Sequence, residues 1–315
     1  MRLDPATGLS PGPRLAASGA ARALALVGDA WVLRILRSAF RGTCRFSAFV
    51  QELGVSRAVL SQRLDVLCEA GLLERDMSDG GGHARYRLTD MGLDLWGVLI
   101  LMWLWERQRG TGLQAPGSAE DRPRRVLLHR ECGASIEPRY VCMCCHEPVS
   151  PFQTEAVIAE PDIAGPVPEP ANRRYRQSGR QDLSGQPRLL RLYGDRWNGF
   201  IMAAAFQGVR TFSDFQRALG LGPAQVSDRL TQLQTLGFLR ARAYAGQRQE
   251  YRLTADAVST YPITVALMQW GNRWLWSGRA PLTLRHKTCG HPLHAELVCS
   301  HCDQALSRRN LLLRD

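Results

Sequence analysis

Lysine is almost missing from this chain: of 40 basic residues only Lys287 is a lysine, so the cationic charge is carried by arginine. A GC-rich coding genome accounts for such a bias, and guanidinium groups also suit bidentate contacts to phosphate and guanine. Long apolar runs are lacking too. The longest, Leu95 to Trp105, is far short of the roughly 18 to 20 residues that span a bilayer, which excludes a transmembrane helix. The first 27 residues place Asp4, Pro5, Pro11 and Pro13 before a short apolar stretch, a poor match to a secretory signal. A cytoplasmic protein without membrane partners is the expectation. No H-E-x-x-H or deaminase pattern occurs, so nothing in the chain looks like an enzyme.

At 315 residues, 45% hydrophobic and 22% charged, the chain has the makings of two or three globular domains. The net charge of +11 and the pI near 9.7 favour a polyanionic partner. Seven of the nine cysteines fall in two tight groups, and in a reducing compartment that spacing indicates metal ligation more than disulfides.

The chain is one unit written twice. Gly28-Asp29-Ala30-Trp31 recurs as Gly194-Asp195-Arg196-Trp197, and Phe46-Ser47-Ala48-Phe49 as Phe212-Ser213-Asp214-Phe215, both 166 residues later. Leu53-Gly54, Ser61-Gln62-Arg63-Leu64 and Gly71 return at the same offset as Leu219-Gly220, Ser227-Asp228-Arg229-Leu230 and Gly237. Tyr86-Arg87-Leu88-Thr89 matches Tyr251-Arg252-Leu253-Thr254 at 165, so one residue is lost in the intervening hairpin, a change that loops absorb easily. Pro148 to Pro187, rich in Pro, Gly, Ser and charge, reads as a linker.

Within each copy the pattern is helix, helix, helix, hairpin, helix. Leu24 to Phe40 and Ser47 to Leu53 are the first two helices, and Ser56 to Ala70 is a third with a capping serine. Leu60, Leu64 and Leu67 give it one buried stripe, repeated by Val226, Leu230 and Leu233. Gly71 and Gly237 stand where a helix C-cap is needed. Ser78 to Gly82 permits a hairpin reversal, and a closing helix runs from Asp90 to Arg107 with Trp96, Trp103 and Trp105. These tryptophans admit a small-molecule effector pocket between interface helices or aromatic packing, and packing is favoured.

Gly-Asp-x-Trp, Phe-Ser-x-Phe, Leu-Gly, Ser-x-Arg-Leu and Tyr-x-Leu-Thr, in that order and twice, resemble the HxlR branch of the MarR-like winged-helix regulators over about 22–109 and 189–276. The resemblance implies a transcription regulator. Members are usually homodimers of single-domain chains joined through their first and last helices, so the implication here is a covalent pseudo-dimer. Some members sense electrophiles through a cysteine just before the first helix, and neither 22–27 nor 187–193 contains one. Cys44 and Cys68, replaced by Arg210 and Gln234 in the second copy, read as ordinary structural cysteines.

A recognition helix in the major groove reads base edges with its N-terminal and outward side chains. Here these are Ser56, Arg57, Ser61, Gln62 and Arg63, then Gln225, Ser227, Asp228 and Arg229. Wing arginines would lie against the minor groove or backbone: Arg85 and Arg87, then Arg240, Arg242, Arg248 and Arg252. His83 at the first hairpin tip is given no role.

Each copy ends with a Cys3His set at zinc-ribbon spacing: His129, Cys132, Cys142 and Cys145, then His286, Cys289, Cys299 and Cys302. Two knuckles of two ligands each make a closed tetrahedral site for structural zinc, two ions per chain. His146, His291, His294 and His301 are alternative nitrogen ligands, and Cys144 is an extra thiol.

The expected fold is therefore mainly α with small β wings (α+β): a tail (1–20), a winged helix-turn-helix domain (21–110), a zinc-ribbon-like module (124–150), a linker (151–186), a second winged helix-turn-helix domain (187–279) and a second module (281–315). The expected function is sequence-specific binding of a double-stranded DNA operator, as a repressor acting through a single-chain pseudo-dimer. The alternative is a zinc-stabilised protein-interaction module.

Overall fold

The computed structural model describes Leu15 and residues 18–77, 84–109, 126–158, 185–244, 248–278 and 280–314. The first hairpin tip with His83, and most of the expected tail and linker, lie outside the described residues.

The first copy opens with α1 (Gly19–Val27) and α2 (Ala30–Phe40), where the sequence suggested one helix from Leu24 to Phe40. The break has two causes. Asp29 caps α2, its carboxylate accepting from the N–H groups of Trp31 and Val32. A side chain at Gly28 would meet the backbone of Arg196 at 3.0 Å, so the chain needs glycine there. Next come α3 (Phe46–Leu53) and α4 (Arg57–Glu69), the latter capped by Ser56 as expected. Gly71 ends it at φ +75.

The wing is β1 (Leu73–Asp76) paired with β2 (Arg85–Leu88). Thr89, the last residue of Tyr-x-Leu-Thr, closes it by donating to the carbonyl of Gly71 at 2.5 Å. The closing helix is split into α5 (Asp90–Leu93) and α6 (Trp96–Arg109). The second copy repeats this as α7 (Arg188–Tyr193), α8 (Arg196–Phe206), α9 (Phe212–Leu219), α10 (Pro223–Thr235), β7 (Leu239–Tyr244), β8 (Arg248–Leu253), α11 (Ala255–Ser259) and α12 (Tyr261–Trp274). Thr254 again closes the wing, on the carbonyl of Gly237 at 2.7 Å.

Equivalent residues of the two copies face one another. Asp29 forms a backbone bridge with Asp195, its own counterpart. Gly28 packs on Arg196, and Gly194 on Ala30, where an added Cβ would clash at 2.9 Å, the reciprocal contact. Helix α1 packs on α8, and α7 on α2. Trp105 Nε1 donates to Ser259 and Arg109 pairs with Asp256, while Trp270 donates to Met91 and Trp274 to Asp94. These are the same four positions in each copy. Reciprocity of this kind is that of an isologous contact, and the main hydrophobic core runs through both copies.

Trp105 of the first closing helix thus packs across the interface, as do Trp270 and Trp274 of the second. Helix α1 crosses α12 at Gly19 and Gly271, where a Cβ on Gly271 would lie 2.0 Å from the Gly19 carbonyl. The opposite crossing differs. There Glu106 of α6 accepts from the Leu189 N–H at the start of α7, at 2.5 Å.

The small β elements depart most from expectation. They are β3 (Val126–His129), β4 (Ser135–Ile136), β5 (Arg139–Cys142), β6 (Thr154–Ile158), β9 (Leu282–His286), β10 (Ala295–Val298) and β11 (Leu311–Arg314). The expected separate modules, 124–150 and 281–315, interleave instead. Strand β3 pairs with β11 of the other copy, with Leu311 opposite His129. Strand β9 pairs with β6, with Thr154 opposite His286. Strand β6 lies inside the stretch read as linker, a correction to that boundary: its backbone hydrogen bonds are satisfied by a strand far along the chain. Strands β5 and β10 pair directly across the two-fold, with Tyr140 opposite Leu297.

Candidate nucleic-acid interface and metal centres

In the first copy Ser56 and Arg57 are exposed, Ser61 and Gln62 half-buried, and Arg63 wholly buried. Arg63 is a correction to the expected DNA contacts. Its Nε and Nη2 donate to the two carboxylate oxygens of Asp29 at 3.2 and 3.1 Å, so it cannot reach a base edge without breaking a buried ion pair. The reason is periodicity. Leu60, Arg63, Leu64 and Leu67 fall at i, i+3, i+4 and i+7, which puts the guanidinium on the core side of α4.

Arg229 is placed the same way: Nη2 is 3.0 Å from Asp195, and Nη1 is 2.7 Å from Asp228, which is thereby occupied. The recurrence of Gly-Asp-x-Trp with Ser-x-Arg-Leu, opposite charges kept in both copies, is the signal that an ion pair joins them. Each pair ties a recognition helix to the N-cap aspartates that meet at the two-fold.

Gln225 and Ser227 are exposed on α10, and Arg57 lies over the Phe46 ring at 5.2 Å. On the first wing Arg87 is exposed but pairs with Asp76 at 3.2 Å, and Arg85 is half-buried. Arg75 donates to the Tyr86 hydroxyl and faces Asp65 at 3.5 Å. On the second wing Arg240, Arg242 and Arg252 are exposed, and Glu250 is taken by Arg252 at 2.7 Å. Arg248 begins β8.

The eight expected metal ligands come together in two fours, but with the halves exchanged. His129 and Cys132 meet Cys299 and Cys302; Cys142 and Cys145 meet His286 and Cys289; in each group all ligand atoms lie within 4.8 Å of one another. The expected grouping along the sequence is thus corrected: β3 and β5 of one copy lie beside β11 and β10 of the other, and the knuckles follow their strands.

In the first group His129 Nδ1 is 3.3 Å from the Cys132 sulfur and 3.4 Å from that of Cys302, and the Cys132 and Cys299 sulfurs are 3.8 Å apart. In the second, His286 Nδ1 is 3.2 Å from the Cys145 sulfur and 3.6 Å from that of Cys289, and the Cys142 and Cys289 sulfurs are 3.9 Å apart. A zinc tetrahedron with Zn–S of about 2.3 Å and Zn–N of about 2.0 Å has edges of roughly 3.5 to 3.8 Å. The donor sets fit.

Both histidine rings are fully buried. The Glu131 carboxylate stands 3.5 Å from His129 Nε2, where a carboxylate beyond a histidine ligand orients the ring. The backbone N–H of His291 holds the Cys289 thiol down to about 5. At Cys299, desolvation opposes ionisation but the N–H groups of Cys302 and His301 outweigh it and lower the thiol. Cys145 and Cys302 move the other way: the Glu147 and Gln304 N–H groups favour thiolate, yet desolvation and neighbouring thiols prevail. The second group also carries the exposed Cys144, whose sulfur is 3.3 Å from His291 Nδ1. His301 stands in the position equivalent to Cys144, and Ala134 in that equivalent to His291.

Two winged helix-turn-helix units sharing one core define a transcription regulator of the helix-turn-helix class. The chain belongs to the HxlR-like helix-turn-helix family, whose model matches it twice, over 26–112 and 192–278, more than half of its length. It is 39% identical over 127 residues to an uncharacterized HTH-type transcriptional regulator of Mycobacterium tuberculosis (strain CDC 1551 / Oshkosh), covering 39% of this chain and 80% of that one. An uncharacterized HTH-type transcriptional regulator of Mycobacterium bovis is 38% identical over the same length. A solved candidate transcription factor, PA1607, is 30% identical, covering 41% of this chain and 86% of that one with a TM-score of 0.34. The family and these relatives are transcription regulators, not enzymes. Among the described residues no helix is long and apolar enough to cross a membrane.

Proposed function

We propose that this regulator binds a double-stranded DNA operator as a single-chain equivalent of a dimer, with α4 and α10 in successive major grooves and the wings against the backbone. The observation that carries the reading is the reciprocal packing about Asp29 and Asp195, with Arg63 and Arg229 tying one recognition helix each to that axis. Exposed Ser56, Arg57, Gln225 and Ser227 then supply base-edge and phosphate donors and acceptors, and Arg87, Arg240, Arg242 and Arg252 the wing contacts. A two-headed clamp regulates by occluding a promoter, so repression is the sign that goes with it. Two zinc ions, held by the two Cys3His groups with no open coordination position, are structural in this reading.

Selection of genomic fragments on the purified full chain tests it. The expected result is one enriched sequence bound at about 10 nM or tighter in physiological salt, with affinity falling steeply as salt rises through counterion release. If no sequence is enriched and no DNA is retained at low salt, the chain is a protein-interaction module instead.

A further inference from the structure

Ligand spacing along the sequence would close each metal site within one copy. Here the ligands of one copy are divided between the two groups, and the division is reciprocal: the His-x2-Cys knuckle of each copy faces the Cys-x2-Cys knuckle of the other. The strands bearing them are exchanged in the same sense and with matching register, β3 with β11 and β9 with β6.

We infer that the two metal centres are clasps between the copies, each ion taking two ligands from the first repeat and two from the second. This rests on the zinc reading above and adds the identity of the ligands each ion joins. An ion so held does more than stabilise a ribbon. It cross-links two segments of chain more than a hundred and forty residues apart, and so fixes one winged-helix domain relative to the other.

The clasp is coupled to those domains by direct contacts. Gln269 of α12 donates to the Tyr140 hydroxyl at 3.0 Å and to the Ala295 carbonyl at 2.8 Å, and accepts from the Ala295 N–H at 2.9 Å. Thr154 of β6 and Tyr261 of α12 share a hydroxyl hydrogen bond of 2.6 Å. Leu127, Ile136 and Leu297 belong to the core shared by the winged helices. The two recognition helices therefore hold their spacing most firmly when both ions are bound.

Zinc content of cysteine variants, measured on the full chain, separates crossed from sequential ligation. Cys289 is the second-centre probe, and because Cys144 and His291 lie beside it and could take its place, every variant is made in the C144S/H291A background. C132S, C289S and C302S each retain one of two zinc ions. In the crossed arrangement C132S/C302S still retains one and C289S/C302S retains none; the reverse, none in C132S/C302S and one in C289S/C302S, overturns the clasp.

A variant that does not fold leaves the wild-type chain to decide. Loaded with NMR-active cadmium, it should show one metal signal coupled to the β protons of Cys132, Cys299 and Cys302, and the other to those of Cys142, Cys145 and Cys289. A signal coupled to Cys132, Cys142 and Cys145 together overturns the proposal. Wild-type protein purified without chelator and containing no zinc would refute the metal reading itself.

Discussion

Arg57 and Arg63 sit six residues apart on one helix, which turns them about 120° from one another around its axis. The outer one is available to a phosphate or a guanine; the inner one is buried on Asp29. Replacing them should therefore fail in different ways. Arg63→Ala leaves the Asp29 carboxylate without its partner and is expected to cost about 3–5 kcal/mol of stability, read by denaturant unfolding. Arg57→Ala should leave the unfolding midpoint in place and lower DNA affinity, with the salt slope reduced by about 1. If R63A were as stable as the wild type, the buried pair would not have the role given to it.

The second wing supplies a parallel case, because Arg240 and Arg242 are exposed while Arg75 and Arg87 of the first wing are engaged by Asp65, Tyr86 and Asp76. R240A/R242A is expected to flatten the salt slope by about 2. The first-wing variant R87A should change it less. Equal effects in titrations across a salt series would contradict the inequality.

Among the elements, the helices, wings and knuckles were legible because each announces itself locally: a Ser or Asp cap, a glycine after the last turn, a leucine stripe, two ligands two residues apart. Arg63 was readable too, since it completes the stripe of Leu60, Leu64 and Leu67, but a charged residue on a DNA-binding helix invites assignment to the outer face. What the sequence does not carry is the choice between like partners. Both copies own both knuckles, so local spacing cannot say which pair closes which site. Strand β6 was lost in a Pro- and Gly-rich stretch for the same reason, because its partner β9 is contributed by the other copy.

The helix crossings make their own predictions. Gly271→Leu drives a side chain into the Gly19 carbonyl and should destabilise by about 1–3 kcal/mol or more through overpacking, where the same change at exposed Gly222, with open space around it, should not clash. Asp256 ties α11 to Arg109 of the first copy and Arg188 of α7. Burial works against its ionisation, but hydrogen bonds from Arg188 and Arg109 prevail and hold the carboxyl below its ordinary range. A folded value below the unfolded one gives stability that is complete above about pH 4 and is lost as pH falls through the folded value. Urea unfolding from pH 7 to pH 3 should show a smaller acid loss for Asp256→Asn than for the wild type; identical profiles would remove Asp256 from the inter-repeat contact.

On the scale of the whole molecule, fusion frees the two DNA-binding units to differ while their interface stays reciprocal. The recognition helices have diverged, Arg57 and Gln62 in one against Pro223 and Asp228 in the other, and so have the wings. A homodimer with equal subunits favours a symmetric operator, whereas the single-chain clamp proposed above would be free to read two dissimilar half-sites about one helical turn apart. The second half-site should contribute more of the affinity, because its wing keeps more of its guanidinium charge unengaged. The most direct test is the mass of the complex on the footprinted operator. One chain per duplex, protecting two unlike half-sites, is the result expected; two chains on a perfect palindrome would contradict the account.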